Sequence, residues 1–440
     1  MRWIDQNGEA RLCDAALLGG PLAPGARCGF APVDWEADNP PKLQQTNGHL
    51  CVRMTADGAL CELFAPAGAE NTLSNRVDQD LFGCNFLKLD VLHLLSDGFA
   101  DWALSGAPGP ASYRADLADG LFPRVRFECE GLGGEILAIS PADDERLSAA
   151  VLYQLRLTNN ADRPLPGGVR LALALPPQMR AVDGRPDLYR LPTVYKGRPG
   201  YLAIACPGGR AEPGGFSFER TPAPGECARF TAAFGLSLSP EMALGDARRL
   251  AERSAEALRP AVARRMLGGF GELSIGRDED MWWADFLRNY AVGGHAMLRT
   301  DPWGRMEGVV IGPQRGRSDT VNREDALRGL HWMPLFQPAL CREWVLFVMA
   351  YLTPSERIPF DENLAANLGL LFAAGTYFQA SGDAAFFERH PEVGASMEAL
   401  LRRLAEVRAD GPCLFRSYEV SDGHTLMDYD FCTQARLYRI

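Results

Sequence analysis

The sequence predicts an antiparallel β-sandwich joined to an α-helical domain. Three observations point to it. Hydrophobic alternation of period two persists to about residue 238, the period changes to a helical one at Ser239, and helix-length apolar segments follow in succession. At 440 residues the chain has room for two domains, or three small ones, each with its own core. We divide it into a sandwich over residues 1–238, a helical linker over 239–270 and a helical-hairpin domain over 271–440.

The strands come first. In RVRFECEG, Val125, Phe127 and Cys129 share one face while Arg126, Glu128 and Glu130 share the other. AVLYQLRLTNN repeats the pattern with Val151, Tyr153, Leu155 and Leu157, and VRLALALPP repeats it with Val169, Leu171, Leu173 and Leu175. Such alternation marks half-buried antiparallel strands. Turn clusters such as NNADRPLPGG and ACPGGRAEPGG separate them, and ECARFTAAFGLSLS supplies a long last strand. Ser239 then caps a helix whose first turn holds Pro240 and Glu241. Beyond the Ala- and Arg-rich linker come DMWWADFLRNYAVGGHAML, NREDALRGLHWM, LCREWVLFVMAYL, ENLAANLGLLFAAGTYFQASG and VGASMEALLRRLAEVRADG. Gly382 and Gly411 stand where helices stop, and Pro334 and Pro338 break what would otherwise be one overlong helix. The second domain reads as all-α with short connections.

Composition narrows the chemistry. The apolar fraction of 47% and the charged fraction of 23% are those of an ordinary globular protein. A formal charge of −11 argues against a nucleic-acid partner, which requires clustered Lys and Arg, and suits a neutral ligand. Only Lys42, Lys88 and Lys196 are lysines among the 45 basic residues, which leaves few candidates for Schiff-base or phosphate-loop chemistry. Eleven cysteines lie singly between Cys13 and Cys432 without a CxxC pair, a pattern of buried thiols in a reducing cytoplasm. The start MRWIDQNGEARLCD lacks the pattern of a secretion signal, and the longest apolar run, VLFVMAYL, is too short to span a bilayer. The expectation is a soluble cytoplasmic protein. HExxH and Cys/His ligand spacings are missing, GLGGE at Gly131 is not followed by a helix, and no GxSxG elbow occurs. No metal or other cofactor is therefore expected.

Certain stretches resemble a known class. TYFQASGDAAFFERHPEVGASMEALL resembles paired helices of the six-hairpin, or (α/α)6-barrel, glycosidases, in which an aromatic-rich helix ends at a Gly-Asp turn and a second helix follows. ISPADDERLSAAVLYQLRLTNNADRPL and GFADWALSG resemble sandwich segments of the non-lysosomal glucosylceramidase and bacterial β-glucosidase family within that class. The resemblance implies a sandwich, a linker and a six-hairpin barrel acting on a β-glucoside. A closed barrel of this kind has twelve helices, whereas about five are found here after residue 278, so the barrel is expected to be incomplete in this chain.

The resemblance also implies site residues. Glu307, followed by Gly308 and standing ahead of Asp319, Trp332 and Pro334, matches the family's nucleophile, and MDYDFC offers Asp428 or Asp430 as the general acid. Cleaving an acetal needs one carboxyl to protonate the leaving oxygen and another to face the oxocarbenium-like carbon. The two lie about 5–5.5 Å apart in retaining enzymes and about 6.5–9.5 Å apart in inverting ones. Asp428 and Asp430 share a face if extended, so repulsion raises the pKa of one, while Arg305, Arg315 and Arg317 flank Glu307 and favour its ionised form. Glu419 and Asp422 in SYEVSDGH are reserve candidates for the acid.

Substrate-binding candidates are Trp303, Arg305, Asp319, His331, Trp332, Glu419 and Asp422. Trp282, Trp283, Trp303 and Trp332 are concentrated in the helical half, and of these Trp303 stands in a loop, between Pro302 and Gly304, where its ring can offer a sugar a flat apolar face. The expected function is a retaining β-glucoside hydrolase, or the N-terminal part of one, with a carbohydrate as its partner and no membrane span. Another six-hairpin activity (α-glucosidase, rhamnosidase or glycoside phosphorylase) and a non-catalytic carbohydrate-binding protein stay open beside it.

Overall fold

A computed structural model describes residues 2–4, 10–12, 42–66, 77–78, 86–88, 91–106, 112–129, 131–142, 146–164, 167–195, 198–220, 222–267, 298–309, 320–322, 337–349, 369–406, 419–421 and 424–426. Two compact units divide the chain. Unit 1 comprises Met1–Glu70, Val91–Ala296 and Pro302–Gly304, and unit 2 comprises Asn71–Asp90, Met297–Asp301 and Arg305–Ile440.

Unit 1 holds two large sheets. The main path of the nine-stranded sheet runs β17 (Gly209–Glu212), β18 (Gly215–Phe218), β13 (Val169–Leu173), β8 (Val91–Ser105), β5 (Leu60–Pro66), β4 (Cys51–Thr55) and β3 (Lys42–Thr46). These neighbours are all antiparallel. β1 (Arg2–Ile4) joins β8 in parallel and pairs with β2 (Ala10–Leu12) antiparallel. The second sheet has eight antiparallel strands in the order β14 (Arg180–Ala181), β15 (Leu188–Tyr195), β16 (Arg198–Ala205), β19 (Cys227–Ser237), β12 (Ala150–Asn159), β11 (Leu132–Ile139), β10 (Phe122–Cys129) and β9 (Ser112–Ala118).

The two sheets share one core. Trp102 of β8 stacks on Tyr153 of β12 with ring centres 5.5 Å apart, and Phe99 meets Phe234 of β19 edge-on at 5.7 Å. The Tyr153 hydroxyl donates to the backbone oxygen of Gly58. In β10 the alternation works as the sequence predicts: Val125, Phe127 and Cys129 are buried while Arg126 is not.

β12 departs from the half-buried expectation because both of its faces are covered. Val151, Tyr153 and Leu155 face the shared core, whereas Ala150 and Leu152 belong to a second apolar cluster. That cluster is completed by Leu250 of helix α1 (Pro240–Ala251) and by Leu258, Val262 and Met266 of helix α2 (Ala255–Leu267). The helices read from sequence as a linker pack against the sheet. Ser239 caps α1 as predicted, its Oγ accepting from the Met242 N–H at 3.3 Å. Contact between α1 and β19 is close enough that Gly235 has no room for a side chain: a Cβ there would lie 2.4 Å from the Ala243 oxygen.

A polar cluster sits within the nine-stranded sheet. Glu62 of β5 is 2% exposed and accepts from Arg53 Nη1 at 2.7 Å, while its other oxygen lies 2.7 Å from His93 Nε2. Burial alone would raise its pKa. The His93 hydrogen bond and the Arg53 charge and hydrogen bond outweigh it and hold the carboxyl at about 2.

Unit 2 mixes helices with short strands, where the sequence reads as all-α. β22 (Thr320–Asn322), β7 (Phe86–Lys88) and β6 (Val77–Asp78) make a small sheet. Two hairpins accompany it, β20 (Leu298–Thr300) with β21 (Met306–Val309), and β23 (Glu419–Ser421) with β24 (His424–Leu426). The helices are α3 (Pro338–Phe347), α4 (Gly369–Ser381), α5 (Ala384–Arg389) and α6 (Pro391–Glu406). Pro338 opens α3 in its first turn, where a missing N–H costs nothing. The Gly-Asp turn is well built: Gly382, at φ +65°, donates to the Phe378 oxygen, and Asp383 caps α5 while accepting from the Tyr377 hydroxyl at 2.6 Å. No helix among the described residues is long and apolar enough to cross a membrane.

Two predictions follow from the packing of unit 1. Gly235→Ala forces β19 and α1 apart and lowers the unfolding free energy by about 1–3 kcal/mol, measured by urea titration. The stability that Glu62 contributes is complete above the ordinary glutamate value of 4.5 and is lost as the pH falls toward 2. Glu62→Gln is therefore less stable at neutral pH and shows a shallower decline between pH 4.5 and 2 when unfolding is followed across that range.

Candidate functional site

Three of the sequence-predicted site residues, Trp303, Arg305 and Glu307, fall on or beside the β20–β21 hairpin. The local sequence explains the turn. In Asp301-Pro302-Trp303-Gly304-Arg305, proline presets φ at the second position and Gly304 takes φ +84°, a conformation strained for other residues. Asp301, 3% exposed, closes the turn through Arg305. The Asp301 N–H donates to the Arg305 oxygen at 2.9 Å, the Arg305 N–H donates to Asp301 Oδ1 at 2.9 Å, and Arg305 Nε donates to Oδ2 at 2.7 Å.

The register beyond the turn is irregular. Thr300 opposes Met306 and Arg299 opposes Gly308, so Glu307 is the extra residue of a β-bulge. Bulges disrupt the ladder locally, bend the strand and re-aim a side chain, and they are common beside active sites. β21 also packs against α3, whose Cys341, Trp344, Val345 and Phe347 are buried, so the strand rests on a firm support. Leu298, Arg299 and Thr300 of β20 are each about 1% exposed.

In unit 1, the Pro302 oxygen accepts from the Leu147 N–H at 2.7 Å. Trp303 is 59% exposed, the most exposed of the large apolar side chains among the described residues. Arg305, expected to favour ionised Glu307, makes its described ion pair with Asp301. Glu419 lies on β23, opposite Leu426. Asp319, His331, Trp332, Asp422, Asp428, Asp430, Arg315, Arg317, Trp282 and Trp283 lie outside the described residues.

Asp301 is the residue that sequence reasoning missed. Its signal was present, an Asp-Pro pair followed by Gly, which is turn chemistry rather than catalytic chemistry and so attracted no attention. Among the described residues, no group of three or more His, Cys, Asp or Glu side chains is placed to hold a metal ion.

No protein-family model matches the chain, and no curated protein matches it. Similarity appears among solved structures. A protein assigned as a kojibiose phosphorylase, from the human microbiome, superposes with a TM-score of 0.51 at 10% identity, over 81% of this chain and 56% of its own. A bacterial glucoamylase in complex with acarbose gives a TM-score of 0.30 at 9% identity, over 88% of this chain and 71% of its own, and at that score the likeness carries no weight. The first likeness is one of fold, of the six-hairpin glycosidase type, and this chain spans little more than half of that neighbour's length.

At 59% exposure about two fifths of Trp303 is still withdrawn from water, so Trp303→Ala lowers the unfolding free energy by about 1–2 kcal/mol, checked by thermal and urea melts beside the parent chain.

Proposed function

We propose that the chain is a carbohydrate-active enzyme that cleaves a β-glucoside by double displacement, with Glu307 as nucleophile and Asp428 or Asp430 as proton donor. The observation that carries this reading is the bulge at Glu307, on a hairpin whose turn presents an exposed tryptophan. A carboxylate at an irregular strand position, four residues along the chain from an exposed aromatic residue, is of the chemistry that meets a ring with one apolar face and a polar rim. The six-hairpin likeness supports a sugar substrate.

The chemistry asks each carboxyl to do a separate job. A Glu307 oxygen bonds to the anomeric carbon while the paired aspartic acid protonates the departing oxygen; the same aspartate then takes a proton from the water that releases the sugar. Trp303 would hold the ring, and Asp319, His331, Trp332, Glu419 and Asp422 remain candidates for contacts with hydroxyl groups. Arg305 contributes through its bonds to Asp301. The net charge of −11 fits a neutral glucoside better than a phosphorylated polymer.

A second reading is favoured by the phosphorylase neighbour: attack on the glycosidic bond by orthophosphate, giving a sugar 1-phosphate. The two are separated by assaying the chain against aryl β-glucosides and against α- and β-linked glucose disaccharides, with and without orthophosphate. Under the main reading, free glucose appears without phosphate, and Glu307→Gln lowers kcat at least about a hundredfold while substrate still binds. Strict dependence on phosphate would move the assignment to phosphorolysis. Binding of oligosaccharide without turnover by the parent chain would identify a non-catalytic carbohydrate-binding protein.

A further inference from the structure

We infer that Asp301 is a positioning residue for Glu307, holding the backbone of the bulge from which the nucleophile is presented; this rests on the reading of Glu307 given above. The hairpin is small, three residues in β20 against four in β21. Two strands of that length have little stability of their own. A slip of one residue in their register would pair Glu307 and send its neighbours to the opposite face. Something must therefore fix where the second strand begins.

Asp301 does so through Arg305. Its two carboxylate oxygens accept from the main-chain N–H and the side-chain Nε of Arg305, and its own N–H donates to the Arg305 oxygen. At 3% exposure the carboxylate is removed from water, where such bonds are strong and where leaving an oxygen without a donor is costly. The turn from Asp301 to Arg305 is thereby closed at both backbone and side-chain level. Glu307 follows only two residues later, so the placement of Arg305 is transmitted to the bulge along the shortest possible stretch of chain. An aspartate suits this position because it reaches the main chain and the guanidinium at once. Asparagine keeps one acceptor and turns an N–H against the Arg305 donor.

The test uses the full 440-residue chain and 2,4-dinitrophenyl 2-deoxy-2-fluoro-β-glucoside. In the labelling step a Glu307 carboxylate oxygen forms a bond to the anomeric carbon as the bond to dinitrophenolate breaks, and the dinitrophenolate released equals the glycosyl group captured. Peptide mass spectrometry locates the label. Failure of the parent to be labelled at Glu307 overturns the reading of that residue, and the positioning role with it. Given labelling at Glu307, Asp301→Ala is expected to lower the labelling rate constant about a hundredfold and Asp301→Asn about tenfold, with the dissociation constant of the reagent within about threefold of the parent. A merely structural role would alter the melting temperature but not the labelling rate of the folded fraction. Should the alanine variant not fold, the asparagine variant decides alone. A rate constant within about twofold of the parent in the folded variant overturns the positioning role while leaving Glu307 as the nucleophile.

Discussion

The two central strands of the eight-stranded sheet, β12 and β19, must bury both faces, and the architecture of unit 1 follows from meeting that demand. One face meets the nine-stranded sheet through large side chains, with Trp102 and Phe99 set against Tyr153 and Phe234. The other face meets helices, and there the residues are small. Along β19 the outward row passes from Arg229 and Thr231 to Ala233 and Gly235, becoming smaller where α1 approaches. On the helix, Ala243, Ala247 and Ala251 recur at intervals of four and present a flat stripe. Small against small lets backbones approach closely, and the dispersion gained over many atoms replaces what larger side chains would have contributed.

The same accounting of buried groups explains the polar exceptions. Glu62 and Asp301 are carboxylates taken out of water, and each is matched to more than one donor. At Glu62 the partners come from neighbouring strands, so the interaction ties β4, β5 and β8 together. At Asp301 both carboxylate oxygens accept from Arg305, four positions on, so the interaction shapes a turn. Burial makes both interactions strong, and sequence distance decides whether the result is tertiary or local.

That distinction governs what could be read in advance. Val125, Phe127 and Cys129 announced a strand because alternation is a local property, and Ser239 announced a helix start because its partner lies three residues away. The Gly382-Asp383 turn was legible for the same reason. Ala150 and Leu152 were not legible as buried, since nothing in AVLYQLRLTNN tells which helix will cover the second face. In the candidate site, Glu307 and Trp303 were named from sequence, but the bulge was not, because a bulge is a mismatch between two strands and cannot be seen in either one.

By itself the sequence determined the alternating strands, the capped helix at Ser239, the Gly-Asp helix turn and the exposure of Trp303 between proline and glycine, since each depends on residues within a few positions of one another. Only the tertiary structure decided that α1 and α2 would cover the eight-stranded sheet, that residues 71–90 would be grouped with the helical unit, and that Glu307 would occupy the unpaired place in its hairpin. Those outcomes are settled by which surfaces bury each other and by the register of paired strands, and both are relations between segments rather than properties of one.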